Sequence, residues 1–527
     1  MISLRPGREQ RLADDGLGAD PSDPDGEGDG VRRPSPLVTV ANRLPVVRTG
    51  HGWRTAHGGL VTALRPTLEA RSGSWIGWDG GSPGVPHTLP DLGVRLAPVS
   101  LRKTEVEGYY HGFSNQTLWP LFHGLADRVV IDRRWWRDYT TANGRFAERA
   151  LEAATSESLL WVHDYQLLCV PAVLRRAGAS RPIGFFLHIP FPAPELYARL
   201  PWREHLVEGM LGADVIGFQT EEFRQNFVRT CLRLKDAVTA DGPRLRLADG
   251  RTVLTATHPI SIDAGSFRAQ AQSDQIARSV GRLRTQFANR RVLVGVDRLD
   301  YTKGIVERLR AIELLLERRP DLRGRLSVLQ IAVPSRGDIR EYRELRAEVE
   351  QVVGRINGRF TMPGQDVPVH YLYRGVSPHQ LLAHYAVADV CLVTPLRDGM
   401  NLVSKEFVVC QGAVGGTGVL VLSEFAGAAE ELREALPCNP FDVEGLSGVI
   451  ELALELEEDD RRYRIDRLAR RIERNDVFAW LEEEVGALEA VAHGSRPGRD
   501  AGRVDSAGAE EQPGRGRPSV KARQSQQ

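Results

Sequence analysis

Near position 400 the chain reads TPLRDGMNLVSKEF, from Thr394 to Phe407, directly after the apolar run ADVCLV. Its two carboxylates, Asp398 and Glu406, are of the type that could act as acid and nucleophile in sugar cleavage, or could grip a sugar donor without attacking it. The run RVLVGVD is followed by RLDYTKG, which sets Arg298 and Lys303 around the start of a predicted helix. Two cations beside helix-terminal N–H groups make a clamp for a diphosphate. The plainer alternative is a surface Arg298 paired with Asp300 and a solvated Lys303. PSRGD sets Arg336 after another strand, with the same two readings. WVHDYQ and FFLHIPFP put Asp164 and His188 at adjacent strand ends, where a histidine can meet a ligand or simply hydrogen-bond its surroundings. AHGGL carries Gly58 and Gly59 ahead of a helix. Adjacent glycines let backbone N–H groups approach an oxygen-rich ligand, or form an ordinary turn.

Other chemistries lack their signatures. The first strand is not followed by G-x-G-x-x-G, which weakens a nicotinamide-dependent reading, and the chain holds no G-x-x-x-x-G-K-[ST] loop, no G-x-S-x-G elbow and no H-E-x-x-H. The D-x-D pair that could hold a metal, Asp23 and Asp25, lies in the N-terminal tail. No metal and no resident cofactor is therefore expected.

These residues need elements to position them. Apolar runs LVTVANR, SLLWVHD, PIGFFLH and ADVIGFQT, and later RVLVGVD, LSVLQIAVP and ADVCLVTP, are continuous rather than alternating. Burial on both faces is the mark of parallel strands with helices above and below. In KGIVERLRAIELLLERR, Ile305, Leu309, Ile312 and Leu316 share one helical face. The expected fold is α/β, with two doubly wound domains in tandem and a ligand cleft between the carboxyl ends of their sheets. The expected boundaries are a disordered tail over 1–36, a first domain over 37–260, a second over 261–475, a helix over 476–493 and a disordered basic tail over 494–527. The hinge falls at HPISID, 258–263. In the last helix Phe478, Leu481, Val485 and Leu488 are expected to pack back on the first domain.

The 527 residues carry 69 acidic and 69 basic side chains, so no global field draws the chain to nucleic acid or an anionic membrane. No stretch of about 18 apolar residues and no secretory h-region is present, which points to a cytoplasmic location. Cys169, Cys231, Cys391, Cys410 and Cys438 are scattered through mostly apolar runs and read as reduced core residues. Homo-oligomerisation is left open.

Taken together, VANRLP, HGGL, EGYYHGFSNQTLWPLFH, WVHDYQL, GFFLHIPFP, GVDRLDYTKG, PSRGD, RDGMNLVSKEF and VLVLSEFAGAA closely resemble the trehalose-6-phosphate synthases over about residues 37–490. The resemblance implies the two-domain GT-B fold. It also implies retaining transfer of glucose from a nucleotide-glucose to glucose 6-phosphate, giving α,α-trehalose 6-phosphate and a nucleoside diphosphate. By the same resemblance Arg43, Tyr110, Trp119, Asp164 and Arg336 would form the acceptor site. Gly58, Gly59, Arg298 and Lys303 would surround the donor diphosphate, and His188 would contact the transferred glucose. Asp398 with the N–H groups of Gly399, Met400 and Asn401 would hold that sugar's hydroxyls. Asn401, Leu402 and Val403 would point N–H groups at the diphosphate, and Glu406 would take the ribose. The family's route uses the departing phosphate as base, so the catalytic group would be Arg298, Lys303, His188 and Asp398.

One departure concerns YLYRGVSPHQ, where the base-contacting position, often aromatic in the family, is Val376. A backbone contact survives this change and ring packing does not, so UDP-, ADP- and GDP-glucose all stay open as donors. No D-x-D-G-T signature is present, which implies that a separate phosphatase acts on the product. A related synthase with another phosphorylated acceptor, of the glucosylglycerol-phosphate type, a pseudo-glycosyltransferase acting on cyclitols, and a catalytically silent sugar-phosphate sensor are the competing readings.

Overall fold

In the computed structural model the residues described are 35–49, 52–55, 61, 64, 68, 71–81, 84–88, 93–235, 238–337, 339–492 and 494. The two compositional tails lie almost wholly outside them, as do Gly58 and Gly59.

The uninterrupted apolar runs form strands buried on both faces. The first half of the chain contributes β1 (Leu37–Arg43), a hairpin of β2 (Val46–Thr49) and β3 (Gly52–Thr55), then β4 (Ser74–Trp78), β5 (Arg95–Val99), β6 (Leu159–His163), β7 (Ile183–Leu187) and β8 (Val215–Phe218). Three further strands, β9 (Thr239–Asp241), β10 (Arg244–Arg246) and β11 (Thr252–Thr257), complete it. Apart from the hairpin these make a nine-stranded sheet in the order β5-β4-β1-β6-β7-β8-β11-β10-β9, parallel except where β10 meets its two neighbours.

The second half gives β12 (Arg291–Arg298), β13 (Leu326–Val333), β14 (Val369–Leu372), β15 (Val390–Val393), β16 (Val419–Ser423) and β17 (Leu436–Cys438). They form a wholly parallel six-stranded sheet in the order β14-β13-β12-β15-β16-β17. Counted from β12, this is the doubly wound order in which the chain reverses direction beside its first strand. The reversal lies between β12 and β15 in this sheet, and between β1 and β6 in the other. In open α/β sheets ligands bind outside the strand ends at these two places. The expected pair of doubly wound sheets is therefore present.

Three helices matter most for the site: α1 (Ile305–Arg318), α2 (Leu402–Ala413) and α3 (Val477–Ala492). In α1 the expected face of Ile305, Leu309, Ile312 and Leu316 is buried. Beneath it Arg308 is fully buried, yet Nη1 donates to Asp297 Oδ2 at 2.7 Å and to Gln330 Oε1 at 2.9 Å, and Nε donates to Thr394 Oγ1 at 3.0 Å. One satisfied guanidinium thus ties β12 and β13 to the residue that opens the 394–401 loop; a buried charge is tolerated only with such partners.

Helix α3 packs on β7 and β8 of the first sheet. Its Trp480 ring stands 5.3 Å from Trp161 and 5.2 Å from Phe186, and Glu484 Oε1 meets His258 Nδ1 at 2.7 Å. Leu481, Val485 and Leu488 are buried as expected, but Phe478 is 38% exposed. The correction is a matter of helical phase. Trp480, not Phe478, faces the sheet, and Phe478 N is instead held in the first turn by Asp476 Oδ1 at 2.9 Å. All five cysteines are free and buried. Among the described residues no helix is long and apolar enough to cross a membrane.

Candidate active site

Arg43 ends β1, and its guanidinium lies over two rings, 4.5 Å from the centre of Trp78 and 5.4 Å from that of Tyr110. Tyr110 comes from a π-helix, Glu107–Leu118. Side-chain amides brace its wide turns: Asn115 donates to the Tyr110 carbonyl at 2.7 Å and Gln116 to the His111 carbonyl at 3.0 Å. Such helices are rare and recur at functional sites. Burial would raise the Tyr110 hydroxyl pKa, but Arg336, Arg43 and Arg298 outweigh it and leave the group below its ordinary value. Three cations therefore converge on one hydroxyl.

Arg336 is fixed from both halves of the chain. Its Nη1 donates to Asp300 Oδ2 at 3.0 Å and to the Tyr342 hydroxyl, and its Nη2 donates to the Tyr165 hydroxyl at 3.1 Å. The guanidinium also lies 4.2 Å from the centre of the Trp119 ring, and Trp119 Nε1 points at Asp300 Oδ1 at 3.4 Å. Asp300 is fully buried. Burial alone would raise its carboxyl, but Arg336, Arg298 and Lys303 hold it below the usual range. Asp300 is therefore an ionised hub rather than the surface partner of Arg298 that the plainer sequence reading supposed. Arg298 is exposed and lies 5.7 Å from the Trp119 ring.

On the other side of Asp300 a short turn, Tyr301–Lys303, leads to Gly304, whose φ of 61° lies in the left-handed region. A Cβ there would sit 2.1 Å from the Thr394 carbonyl oxygen, so only glycine allows the turn to approach the 394–401 loop. Across this contact Lys303 Nζ bonds Asp398 Oδ2 at 2.6 Å, and Asn401 Nδ2 donates to the same oxygen at 3.1 Å. Burial works to raise the Asp398 carboxyl; Lys303 overrides it and keeps the group ionised. Asn401 adopts φ 94° and accepts the Ser404 N–H at 3.1 Å, capping α2. Gly399 brings the loop against the first sheet: a Cβ would lie 2.1 Å from the His188 carbonyl oxygen. Met400 is buried, and its carbonyl accepts from Ala428 N at 2.9 Å. Leu402 and Val403 occupy the first turn of α2, with N–H groups that have no partner within the helix.

Asp164 and His188 follow neighbouring strands, β6 and β7, and Asp164 Oδ1 accepts the His188 backbone N–H at 3.2 Å. Burial lifts the Asp164 carboxyl to about 6 against the pull of its backbone donors and two arginines, and burial drops His188 to about 3, so its ring is neutral. His188 Nε2 lies 3.1 Å from His163 Nδ1.

Glu406, one turn into α2, accepts the Tyr385 hydroxyl at 3.1 Å, and burial raises its carboxyl to about 7. The next side chain back, Lys405, points away from the cleft, and its Nζ donates to the Ile260 carbonyl at 3.0 Å. The helix is thereby joined to the 258–263 connection between the sheets. Val376 is half-buried just ahead of the Pro378–Val387 helix, whose N-cap is Ser377.

Among the described residues five non-glycine positions have positive φ, and three of them are Asp164, Arg336 and Asn401. Each such position costs about 1–3 kcal/mol and persists where surroundings over-determine it, as at ligand sites. The structure thus brings Trp119, Arg298, Lys303 and Arg336 around Asp300, with Arg43 and Tyr110 beside Arg336, and with Asp164, His188 and Asp398–Asn401 in the adjoining turns. Sequence reasoning passed over Trp78, Tyr165, Asp300, Tyr342 and His163. Of these, His163 and Tyr165 stood inside the quoted motif WVHDYQ, and Asp300 stood inside RLDYTKG, where it was read only as a surface partner of Arg298; Trp78 and Tyr342 lay in no quoted motif.

A family model described as glycosyltransferase family 20 matches residues 35–490. The chain is 44% identical over 480 residues to a trehalose-6-phosphate synthase from Mycobacterium sp. strain KMS, covering 88% of this chain and 97% of that one. It is similar in structure to a UDP-forming α,α-trehalose-phosphate synthase from Burkholderia xenovorans in complex with glucose-6-phosphate, with a TM-score of 0.78 and 35% identity over 86% of this chain and 99% of that one. It is similar also to the E. coli trehalose-6-phosphate protein bound with UDP-2-fluoro glucose, with a TM-score of 0.79 and 35% identity over 86% and 99%.

Proposed function

The chain belongs to glycosyltransferase family 20 and is a retaining GT-B glucosyltransferase acting on a nucleotide-glucose and glucose 6-phosphate to give α,α-trehalose 6-phosphate; we propose that its site divides between the two substrates as follows. Arg43, Arg336 and the Tyr110 hydroxyl grip the acceptor phosphate. The observation that carries this reading is the gathering of three guanidinium groups, Arg43 at 5.4 Å from the Tyr110 ring and Arg298 and Arg336 at 5.7 Å and 4.2 Å from the Trp119 ring, against the two carboxylates of Asp300 and Asp164. That surplus of positive charge suits a dianion, and the planar guanidinium fork suits phosphate oxygens. Trp119 walls the acceptor sugar, and Asp164 accepts from its hydroxyls.

On the donor side, Arg298, Lys303 and the N-terminus of α2 at Asn401, Leu402 and Val403 surround the diphosphate, and Glu406 accepts from the ribose. Asp398 and the N–H groups of Gly399 and Met400 hold the glucose, with His188 beside it. Gly58 and Gly59, outside the described residues, belong to the same proposal only by resemblance. The bond from glucose C1 to the diphosphate oxygen breaks with its electron pair on the phosphate. The acceptor's anomeric hydroxyl then bonds C1 from the same face and passes its proton to the departing phosphate. Lys303 and Asn401 hold Asp398 through Oδ2, which fixes the carboxylate's orientation toward the sugar hydroxyls. Charge developing on the diphosphate is met by preorganised donors, each worth on the order of 10²- to 10³-fold in rate. These cations supply what a metal supplies elsewhere, so we propose transfer without one.

A cytoplasmic location is supported by five free, buried cysteines. The synthase reading is tested by supplying nucleotide-glucose with glucose 6-phosphate or glycerol 3-phosphate and following nucleoside diphosphate. Release with the first and not the second supports it. Release only with glycerol 3-phosphate overturns the acceptor assignment, and binding without release overturns catalysis.

A further inference from the structure

His163 lies one residue before Asp164 and is 1% exposed. Its Nδ1 sits 3.1 Å from His188 Nε2, and the two rings are near-parallel with centres 5.4 Å apart. Burial keeps both rings neutral. Each then carries a single N–H, and one of those two protons must occupy the shared bond. Two arrangements exist. If His188 Nε2–H donates, His163 must carry its own proton on Nε2, a sealed atom with no partner. The unpaired polar atoms of the neighbouring rings in the same aromatic cluster, Nε1 of Trp161 and of Trp480, are donors only and offer that proton nothing. If His163 Nδ1–H donates instead, its Nε2 is a bare acceptor, a lesser loss than a buried, unpaired N–H. His188 must then carry its proton on Nδ1, which makes no hydrogen bond with any described residue.

We propose that His163 is a positioning residue that locks His188 as the Nδ1–H tautomer, so that His188 presents a hydrogen-bond donor to an oxygen of the bound donor sugar. The lock itself stands on this geometry alone; the sugar as recipient rests on the function proposed above. The atom it aims is one that a neutral histidine would otherwise leave free to be donor or acceptor.

The test uses the full chain labelled with 15N-histidine, with the His188 resonances assigned through His188→Gln. Without substrates, wild type should show the proton of His188 on Nδ1, and His163→Phe should move it wholly or partly to Nε2. The same His163→Phe variant should lose about tenfold in kcat/KM for nucleotide-glucose while the KM for glucose 6-phosphate stays within twofold, in keeping with one neutral hydrogen bond. His163→Asn, whose amide N–H can replace Nδ1–H, should regain most of that loss. A wild-type His188 protonated on Nε2 overturns the proposal even if His163→Phe fails to fold. So does a His163→Asn variant as impaired as His163→Phe. If the tautomer is as stated but wild type transfers no glucose, the lock stands and the functional reading fails.

Discussion

Lys303 and Asp398 meet at 2.6 Å between Nζ and Oδ2, across the contact between the turn after β12 and the loop after β15. The pair spans the place where the second sheet reverses direction, so a single bond links the cation proposed to face the diphosphate to the carboxylate proposed to hold the sugar. The carboxylate is thereby committed to orientation, and the lysine is held ready for charge that develops later.

Replacing Lys303 with Ala should lower kcat on the order of 10²- to 10³-fold, the scale for one preorganised donor. Glucose 6-phosphate should bind with unchanged affinity in calorimetry, since its phosphate is assigned to other cations. Normal turnover in this variant would remove Lys303 from the mechanism.

Arg336→Ala should raise the KM for glucose 6-phosphate far more than that for the donor. It should also destabilise the fold by about 3–5 kcal/mol, because it strands the buried charge of Asp300. Thermal denaturation and kinetics separate the two effects: adding Asp300→Asn should restore much of the stability and leave the KM high. Equal shifts in both KM values would assign Arg336 to the wrong substrate.

Glu406 titrates near 7 because it is buried. In the proposed role, ribose hydroxyls donate to its ionised form, so donor binding should draw the proton off. Donor affinity should therefore strengthen as pH rises from about 6 to 8, with proton release on binding that calorimetry in buffers of different ionisation enthalpy can count. For the free protein the sign is opposite: a carboxyl raised above its unfolded value favours the fold at low pH, and this contribution is lost between about 4.5 and 7. Glu406→Gln should weaken donor binding and flatten both dependences, and a pH-dependent donor affinity that survives the substitution would exclude Glu406 as its source.

Val376 offers the base no ring to stack on. UDP-, ADP- and GDP-glucose should then differ in kcat/KM by no more than about tenfold, because the aromatic stacking that contributes about 1–3 kcal/mol per base elsewhere is missing here. A much larger preference would locate base selection in another residue.

How far the sequence foretold this arrangement depends on how local each signal is. The buried strands could be read because two-sided burial leaves continuous apolar runs, and the polar residues at their ends followed from strand polarity. Asp300 could not be recognised as a hub, because its partner Arg336 is 36 residues away and RLDYTKG offers nearer cations. The left-handed backbone of Asp164, Arg336 and Asn401 leaves no mark in residue type, and the π-helix carries an apolar pattern with no clear period. In α3 the choice between Phe478 and Trp480 is a question of phase at a helix end, where a periodicity argument has fewest residues to work with. The roles of individual site residues came from the ordered set of motifs rather than from any one of them.

The central claim is that Asp398 and Glu406 hold the donor and that neither forms a bond to glucose. Intact-protein mass spectrometry of enzyme quenched during turnover, with nucleotide-glucose alone and with glucose 6-phosphate added, tests it most directly. The expected result is an unmodified mass in both samples while α,α-linked product accumulates in the second. A glucosyl adduct mapped to Asp398 or Glu406, formed and consumed at the rate of turnover, would contradict it.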